Sequence, residues 1–447
     1  MHSPTSAHPA SGPNPTARHA TVSVHGEDSH AVAPGDIAVG VVVGRASEYF
    51  DFFVYGIASA LVFPTVFFPF MERLEATLWS FAIFALAFVA RPFGTVLFMW
   101  IQRRWDRSTK LTAALFLLGT ATAGIAFLPG YEKIGPLSIA LLALFRLAQG
   151  VALGGSWDGL PSLLALNAPK HRRGWYAMLG QLGAPAGFVI AAALFAYLLS
   201  ALSAEDFFGW GWRYPFFAAF AINVVALFAR LRLVVTHEYE RELGRHDLEP
   251  TPVLELFRAK GRNVVIGAFA ALASYALFHL VTIFPLSWIL LFSKQSIGQF
   301  LLVQIAGGFL AAASMVMSGL IADRFGRTRT LGALALAIAA FSGFAPMLLG
   351  AGAFGQDVFV LVGFALLGLS YGQAAGSVTA NFGSRYRYTG AALTSDLAWL
   401  IGAAFAPLVA LGLCAKFGLA FVGAYLLSGA VCTVAALAVN HALKLKN

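Results

Sequence analysis

The chain has 447 residues, of which 59% are hydrophobic and 11% are charged. An ordinary soluble domain carries about a quarter charged residues, so this composition excludes one and predicts an integral membrane protein. The mean hydropathy of +0.75 agrees with that prediction. Lipid offers the backbone no hydrogen-bond partner outside a helix or a closed barrel, and strand-like alternation is absent. The expected spans are therefore helices of about 20 residues.

The chain begins with a segment that is not expected to fold. Residues 1–36 are rich in His, Pro, Ser, Ala and Gly and lack an apolar core, which predicts a disordered cytoplasmic tail rather than a signal peptide. Five of the ten histidines lie there, but their irregular spacing predicts no metal site. Twelve apolar segments follow, near residues 37–63, 76–99, 111–128, 137–165, 174–200, 212–233, 263–291, 297–321, 329–350, 357–381, 389–412 and 417–441.

A charged segment divides these spans six and six, which predicts an N-terminal half at 37–233, a cytoplasmic linker at 234–262, a C-terminal half at 263–441 and a short tail at 442–447. Each half has a basic loop after its second span. The loops IQRRWDRSTK (101–110) and ADRFGRTRT (322–330) are in register at an offset of 220 residues, so Arg104 matches Arg324 and Arg107 matches Arg327. Two related six-helix halves are therefore expected.

The positive charges predict the orientation. If both termini are cytoplasmic, inner segments hold 22 of the 30 Lys and Arg residues, as the rule for cytoplasmic loops requires. The net charge of +9 then reflects short inner loops that meet anionic lipid, and no nucleic-acid partner is needed. Cys414 and Cys432 are expected to be small packing residues, with no disulfide and no metal.

The first span carries charges at helical spacing. In GRASEYFDFFVYG (44–56), Arg45, Glu48, Asp51 and Tyr55 fall within about a third of the helix circumference and predict one polar stripe. A charge at the centre of a span costs about 2.5 to 3.5 kcal/mol, so the stripe should face protein or a water-filled cavity. Two hypotheses remain. Glu48 or Asp51 couples transport to protons, because two close carboxylates disfavour double ionisation, or an Arg45–Glu48 ion pair only fixes packing.

Several short motifs carry a resemblance to a known family. GLIADRFGR (319–327) resembles the loop signature of the major facilitator superfamily, and an ordered set of stretches resembles its metabolite:proton symporter family. That set is EYFDFFVYG (48–56), FFP (67–69), RPFG (91–94), RLAQGVALGGSWDG (146–159), RRG (172–174), GWRYPF (211–216) and RYTGAAL (387–393). The resemblance implies an all-α membrane bundle of twelve helices in two pseudo-symmetric halves. Such transporters carry small organic acids or osmolytes with protons by alternating access.

The chain departs from the family pattern in its N-terminal half. Arg103 stands where the family usually has Asp, and Asp106 where it usually has Gly. In the fourth span Ser156 replaces a Glu, and Asp158 follows two residues later. The C-terminal loop keeps the family residues, Asp323 among them.

Substrate contacts are predicted from the few polar groups inside spans. Arg146 is the preferred ligand for a substrate anion, because a guanidinium fork matches a carboxylate bidentately. Its alternative role is pairing with Asp158 or a first-span carboxylate. Pairing with Asp158 within one helix is excluded, because twelve residues rise about 18 Å. Each of the other candidates alone is more often a packing residue; they are Tyr55, Arg45, Gln149, Gln181, His279 and Trp399.

A gate is predicted at the cytoplasmic end. Asp323 is expected to cap a helix N-terminus or to pair with a base, while Arg324 and Arg327 pair across to neighbouring helix ends. A solvated turn is the alternative. Asp158 and Asp396 are assigned to the same gate, Asp396 with packing as its other role. Arg91 is expected to be structural and to seat the inner end of the second span.

Three function classes follow from these observations. A proton-coupled symporter for a small metabolite in the cell inner membrane ranks first, and an exporter or antiporter of the same fold second. An enzyme or a sensor ranks third, because the sequence shows no metal set, nucleophile elbow or phosphate loop. A functional monomer with no cofactor beyond the proton is expected. The substrate itself depends on cavity shape, which no motif encodes.

Overall fold

The computed structural model describes residues 34–156, 168–234, 249–379 and 382–444. Twelve long helices dominate this part of the chain. They are α1 Pro34–Leu61, α2 Arg73–Arg104, α3 Arg107–Phe127, α4 Pro136–Gly155, α5 Arg173–Ala201, α6 Tyr214–Val234, α7 Val253–Phe292, α8 Ile297–Phe325, α9 Arg327–Gly350, α10 Gly352–Thr379, α11 Arg385–Phe417 and α12 Ala420–Lys444.

Eleven of these helices are long and apolar enough to cross a membrane, counted over the described ranges. The remaining one, α1, has 28 residues, but every stretch of 18 residues within it includes Arg45, Glu48 and Asp51. The charges rather than the length set α1 apart. The predicted all-α membrane fold is confirmed. The seventh span begins at Val253, inside the predicted linker. Residues 1–33 of the predicted N-terminal tail and residues 445–447 of the short C-terminal tail lie outside the described residues.

The two halves, α1–α6 and α7–α12, are built alike around their basic loops. Helix α3 begins at Arg107 and helix α9 at Arg327, the residues that the offset of 220 matches. The halves meet where α1 contacts α7, α2 contacts α11, and α5 contacts α8 and α10. We call the end of the bundle that carries these two loops the basic end.

Three helices are interrupted where the halves meet. Helix α5 breaks before Gly183, α7 breaks at Ala271 and Ile283, and α11 contains a π-helical turn at Trp399–Ala403. Irregular turns of this kind are frequent at functional sites.

The second break in α7 shows how a freed backbone group is satisfied. Pro285 has no N–H to donate to the carbonyl of Val281, four residues earlier. The side chain of Gln304 on α8 supplies the missing donor, with Nε2 3.2 Å from Val281 O and 3.0 Å from Thr282 O. Gln304 is fully buried, so this replacement occurs away from water.

Helices α2 and α4 are in backbone contact along glycines. A Cβ atom placed on Gly150 would collide with the carbonyl of Ala87, and one on Gly154 with the backbone of Arg91 and Thr95. Only glycine permits such a close approach. The two helices are therefore packed as one unit.

Candidate transport site

A cavity lies between the halves and is bordered by α1, α2, α4 and α11. We call it the central cavity. It holds about 480 Å³ of empty space and is lined by Arg45, Glu48, Tyr49, Phe52, Ala87, Phe88, Arg91, Leu153, Ser156 and Trp399. Ser156, which replaces a family Glu, is thus a lining residue.

Arg45 and Glu48 form an ion pair in the wall of this cavity. Arg45 Nη1 lies 2.9 Å from Glu48 Oε2, and the two side chains are 16% and 9% exposed. The Arg45 guanidinium also lies 5.2 Å from the centre of the Tyr49 ring. This is the pair that the structural hypothesis predicted, and it leaves Asp51 as the second carboxylate.

Asp51 turns away from the central cavity. It is 3% exposed, and its Oδ1 accepts a 2.8 Å hydrogen bond from Thr122 Oγ1 on α3. The polar stripe therefore has two surroundings, with Arg45 and Glu48 at the central cavity and Asp51 packed against α3. Six residues of helix between Arg45 and Asp51 rotate the side chain by about 120°, enough to reach a different neighbour.

A chain of hydrogen bonds connects Asp51 to Arg146. Arg146 Nη1 donates to Gln149 Oε1 at 3.1 Å, Gln149 Nε2 donates to Thr122 Oγ1 at 2.9 Å, and Thr122 donates to Asp51. Each donor points toward the carboxylate. We call these four residues the buried relay. Arg146 is thus linked to a first-span carboxylate, as its alternative role predicted, but through two neutral side chains. Asp158, the other partner considered, lies outside the described residues.

Two of the three side-chain nitrogens of Arg146 have protein partners. Its Nε donates to the carbonyl of Phe84 at 3.1 Å, and its guanidinium carbon lies 3.9 Å from the centre of the Tyr55 ring. Within the described residues only Nη2 lacks a hydrogen-bond partner. Three of the five guanidinium N–H groups, two on Nη2 and one on Nη1, make no hydrogen bond to the described residues, so the predicted bidentate contact with a substrate carboxylate stays a prediction.

Tyr55 holds Arg146 from one face. Its ring makes the cation–π contact with Arg146, and its hydroxyl is buried without a partner in the part of the chain that the structure describes. A desolvated cation–π contact contributes about 2 kcal/mol. Tyr55 thus supports Arg146. Its predicted contact with substrate stays a prediction.

His279 and Trp399 come from the opposite half. The His279 ring is fully buried and stacks on Phe52 with 5.4 Å between centres, while Trp399 stacks on Phe88 at 5.8 Å. Phe52, Phe88 and Trp399 also line the central cavity, so they separate it from His279. We call these three rings the aromatic partition.

Gln181 does not join these groups. It is buried at the break in α5 and is not among the lining residues of the central cavity. Its predicted contact with substrate stays a prediction.

An ion pair crosses between the halves beside the cavity. Arg91 Nε on α2 lies 2.8 Å from Asp396 Oδ1 on α11, and Thr95 donates a hydrogen bond to the other carboxylate oxygen. Asp396 was expected at a gate or in packing, and it joins the two halves. Arg91 was expected to seat the inner end of the second span. Its partner lies in the C-terminal half, so its role extends beyond α2.

At the basic end, the C-terminal half holds the first turn of α5. Asp323 accepts hydrogen bonds from the backbone N–H groups of Gly174 at 2.6 Å and Trp175 at 3.2 Å. Arg327 donates to the carbonyls of Gly376 at 2.5 Å and Arg173 at 3.1 Å. The helix cap expected of Asp323 is present, and it joins the two halves.

Arg324 behaves differently from its neighbours. Its side chain is exposed, and its guanidinium lies 5.4 Å from the centre of the Phe325 ring in the same helix. The predicted pairing of Arg324 with a neighbouring helix end is therefore not among the contacts of the described residues.

The loop of the N-terminal half is arranged otherwise. Asp106 caps its own helix, α3, through a 2.5 Å hydrogen bond from Thr109 N. The connection to the other half is made by Lys110, whose Nζ donates to Tyr388 OH at 2.6 Å. Sequence reasoning missed this contact, since Lys110 counted only as a loop charge.

On the opposite side of the cavity, Gly56 packs against Ile283. The halves therefore meet on both sides.

The chain belongs to the major facilitator superfamily, and the sequence model of that family matches residues 52–399. The inner membrane metabolite transport protein YhjE of Escherichia coli (strain K12) is 35% identical to it over 91% of this chain and 93% of that protein. The shikimate transporter of the same organism is 31% identical over 90% of this chain and 92% of its own length. The chain is accordingly a multi-pass membrane transporter of small metabolites.

Solved structures support the fold. The xylose transporter XylE from E. coli in a partially occluded inward open conformation superposes with a TM-score of 0.68, covering 89% of this chain and 96% of that one. At 17% identity, this likeness bears on the fold alone.

Proposed function

We propose that this transporter carries a small organic acid or a zwitterionic osmolyte across the cell inner membrane together with protons, by alternating access. The observation that supports it best is the buried relay, which connects the carboxyl group of Asp51 to the guanidinium of Arg146 through two neutral side chains. A buried positive group suits an anionic substrate, and a carboxyl group linked to it suits a proton.

The relay gives a physical route for coupling. Proton uptake by Asp51 changes the charge of the buried relay by one unit and turns an acceptor into a donor. Thr122 then donates to a neutral carboxyl, which is a weaker acceptor, and the hold of the relay on Gln149 and Arg146 changes with it. Proton binding at α1 therefore alters the group proposed to attract the substrate anion.

The contacts at the basic end suit a gate that opens in every cycle. Asp323 and Arg327 bind backbone groups across the halves at a partly exposed site, where single charge contacts contribute about 0 to 1 kcal/mol. Substrate and proton binding can overcome contacts of that size. In this proposal the basic end faces the cytoplasm, with both chain termini on that side.

A screen followed by transport tests the proposal. Carboxylates, amino acids and betaines are added to the purified protein, and the compounds that raise its Tm are offered to proteoliposomes at two external pH values. We expect uptake that rises with the inward proton gradient. Expulsion under the same gradient would instead establish the exporter of the same fold. Absence of gradient-dependent flux for every stabilising compound contradicts proton-coupled transport.

A further inference from the structure

Two buried donors, one from each half, lie beside one aromatic ring without a partner. Both nitrogens of His279 and Nη2 of Arg146 are buried and make no hydrogen bond within the described residues. The Phe84 ring centre is 4.8 Å from the Arg146 guanidinium carbon and 5.2 Å from the His279 ring centre. Buried polar atoms without partners are rare and costly, and they require an explanation.

Two other deeply buried side chains keep protein partners for their amide nitrogens, although the amide oxygen of each has no partner among the described residues. Gln304 on α8 binds two backbone carbonyls of α7, and Gln373 on α10 binds Gly174 O and Ser318 Oγ. His279 is as deeply buried as these residues, and its walls are the rings of Phe52, Phe84 and Phe88 together with Trp399. Aromatic carbon atoms offer an imidazole no conventional partner, and no other partner is found among the described residues, which leaves both ring nitrogens available to a bound ligand.

We propose that Arg146 and His279 form an occluded carboxylate site, in which Nη2 of Arg146 and a ring N–H of His279 each donate one hydrogen bond to the substrate. The site deepens the proposed function and rests on it. The aromatic partition closes the site toward the central cavity, because Phe52, Phe88 and Trp399 contact the cavity and the His279 region together. Movement of these rings admits the substrate.

The chemistry of the donors selects the substrate group. A carboxylate presents two acceptor oxygens and no donor, which matches one N–H group from each side. A methyl ester keeps only one comparable acceptor and loses the charge that attracts Arg146. The second nitrogen of a neutral imidazole accepts a hydrogen bond, so a hydroxyl group near the carboxylate adds a contact.

Placement of one donor in each half links binding to closure. Arg146 is on α4 and His279 on α7, so a carboxylate bound to both holds the halves together at this depth. An empty site leaves both donors unsatisfied and favours opening. A ligand shifts a conformational equilibrium by its difference in affinity for the two states, and this site supplies such a difference.

The test uses the purified full-length protein with shikimate, methyl shikimate and glycine betaine as probes. Binding is measured by thermal shift and titration for the wild type, His279→Phe and His279→Gln. Phenylalanine fills the aromatic pocket without a donor, whereas glutamine keeps one. His279→Met gives the same reading if His279→Phe does not fold. Thr282→Val is the control, since Thr282 is buried in the same helix and, among the described residues, its hydroxyl donates only to the Phe278 carbonyl of that helix.

We expect at least one acid to bind, and His279→Phe to weaken it by roughly 10- to 100-fold, the usual effect of losing a hydrogen bond to a charged group. His279→Gln and Thr282→Val keep most of the affinity. Equal affinity in His279→Phe, or equal binding of shikimate and its methyl ester, overturns this site. If wild-type proteoliposomes still take up a probe in those cases, the proposed function stands. If the wild type neither binds nor takes up shikimate or glycine betaine, both the carboxylate site and the proposed function are overturned.

Discussion

The hydroxyl of Thr122 donates a 2.8 Å hydrogen bond to the carboxyl of Asp51 and is the last donor of the buried relay. A single hydroxyl group thus joins α1 to α4 by way of α3. Removal of this hydroxyl separates the proposed proton site from the proposed anion site.

Thr122→Val tests that connection, because it keeps the size of the side chain and removes the hydroxyl. Asp51 and Gln149 each lose a buried partner, so we expect the free energy of unfolding to fall by about 1 to 3 kcal/mol. We also expect proton-driven accumulation to fall, while substrate exchange without a gradient continues. Thr120→Val is the control, since Thr120 is exposed and bonds only the Phe116 carbonyl of its own helix. Unchanged accumulation in Thr122→Val would remove the relay from the mechanism.

Asp51→Asn tests which carboxylate carries the proton. Asparagine has nearly the same shape but cannot ionise, so we expect accumulation driven by a proton gradient to be abolished and exchange to be spared. Glu48→Gln is the matched variant, and its loss is expected to be smaller, because Glu48 is paired with Arg45 at the cavity wall. Both are measured in proteoliposomes with an imposed gradient. Undiminished accumulation in Asp51→Asn sinks the coupling hypothesis.

Arg91→Met and Asp396→Asn each test the ion pair between α2 and α11. Removal of one partner leaves a buried charge, which typically costs about 3 kcal/mol. We expect each single variant to lower the Tm and slow uptake. The exchanged pair, Arg91→Asp with Asp396→Arg, should recover part of both, and single and double variants together give the coupling energy. Additive losses would show that the two residues act separately.

The two basic loops provide a matched comparison at the basic end. Asp323→Ala removes a cap that joins the halves, whereas Asp106→Ala removes a cap within α3. We expect both to lose stability, by about 1 kcal/mol for a helix cap. Only Asp323→Ala should lengthen the distance between spin labels placed on α5 and α8 at that end. The same distance change in both variants contradicts the gate assigned to Asp323.

The parts of this molecule that depend on local sequence could be predicted. Apolar lengths gave the helices, and the offset of 220 residues placed the starts of α3 at Arg107 and of α9 at Arg327. The Arg45–Glu48 pair, three residues apart on one helix, was also within reach of such reasoning.

The contacts missed are those between distant parts of the chain. Arg91 and Asp396 are two of the few charged residues inside spans. Nothing in their spacing along the sequence indicates that α2 and α11 are neighbours. The side of α1 that Asp51 faces was missed for a related reason, because an arc of about 120° is wide enough to contact two different helices. Tertiary packing, not periodicity, decides between them.

The glycine contact between α2 and α4 determines how Arg91 and Arg146 travel. The two helices approach closely at Gly150 and Gly154, where a Cβ atom would collide with the backbone of α2, so we expect them to move together. The guanidinium groups of Arg91 and Arg146 are therefore carried by one rigid unit. A tilt that separates Arg91 from Asp396 therefore also displaces Arg146. By reciprocity, an anion bound to Arg146 strengthens or weakens the contact between Arg91 and Asp396.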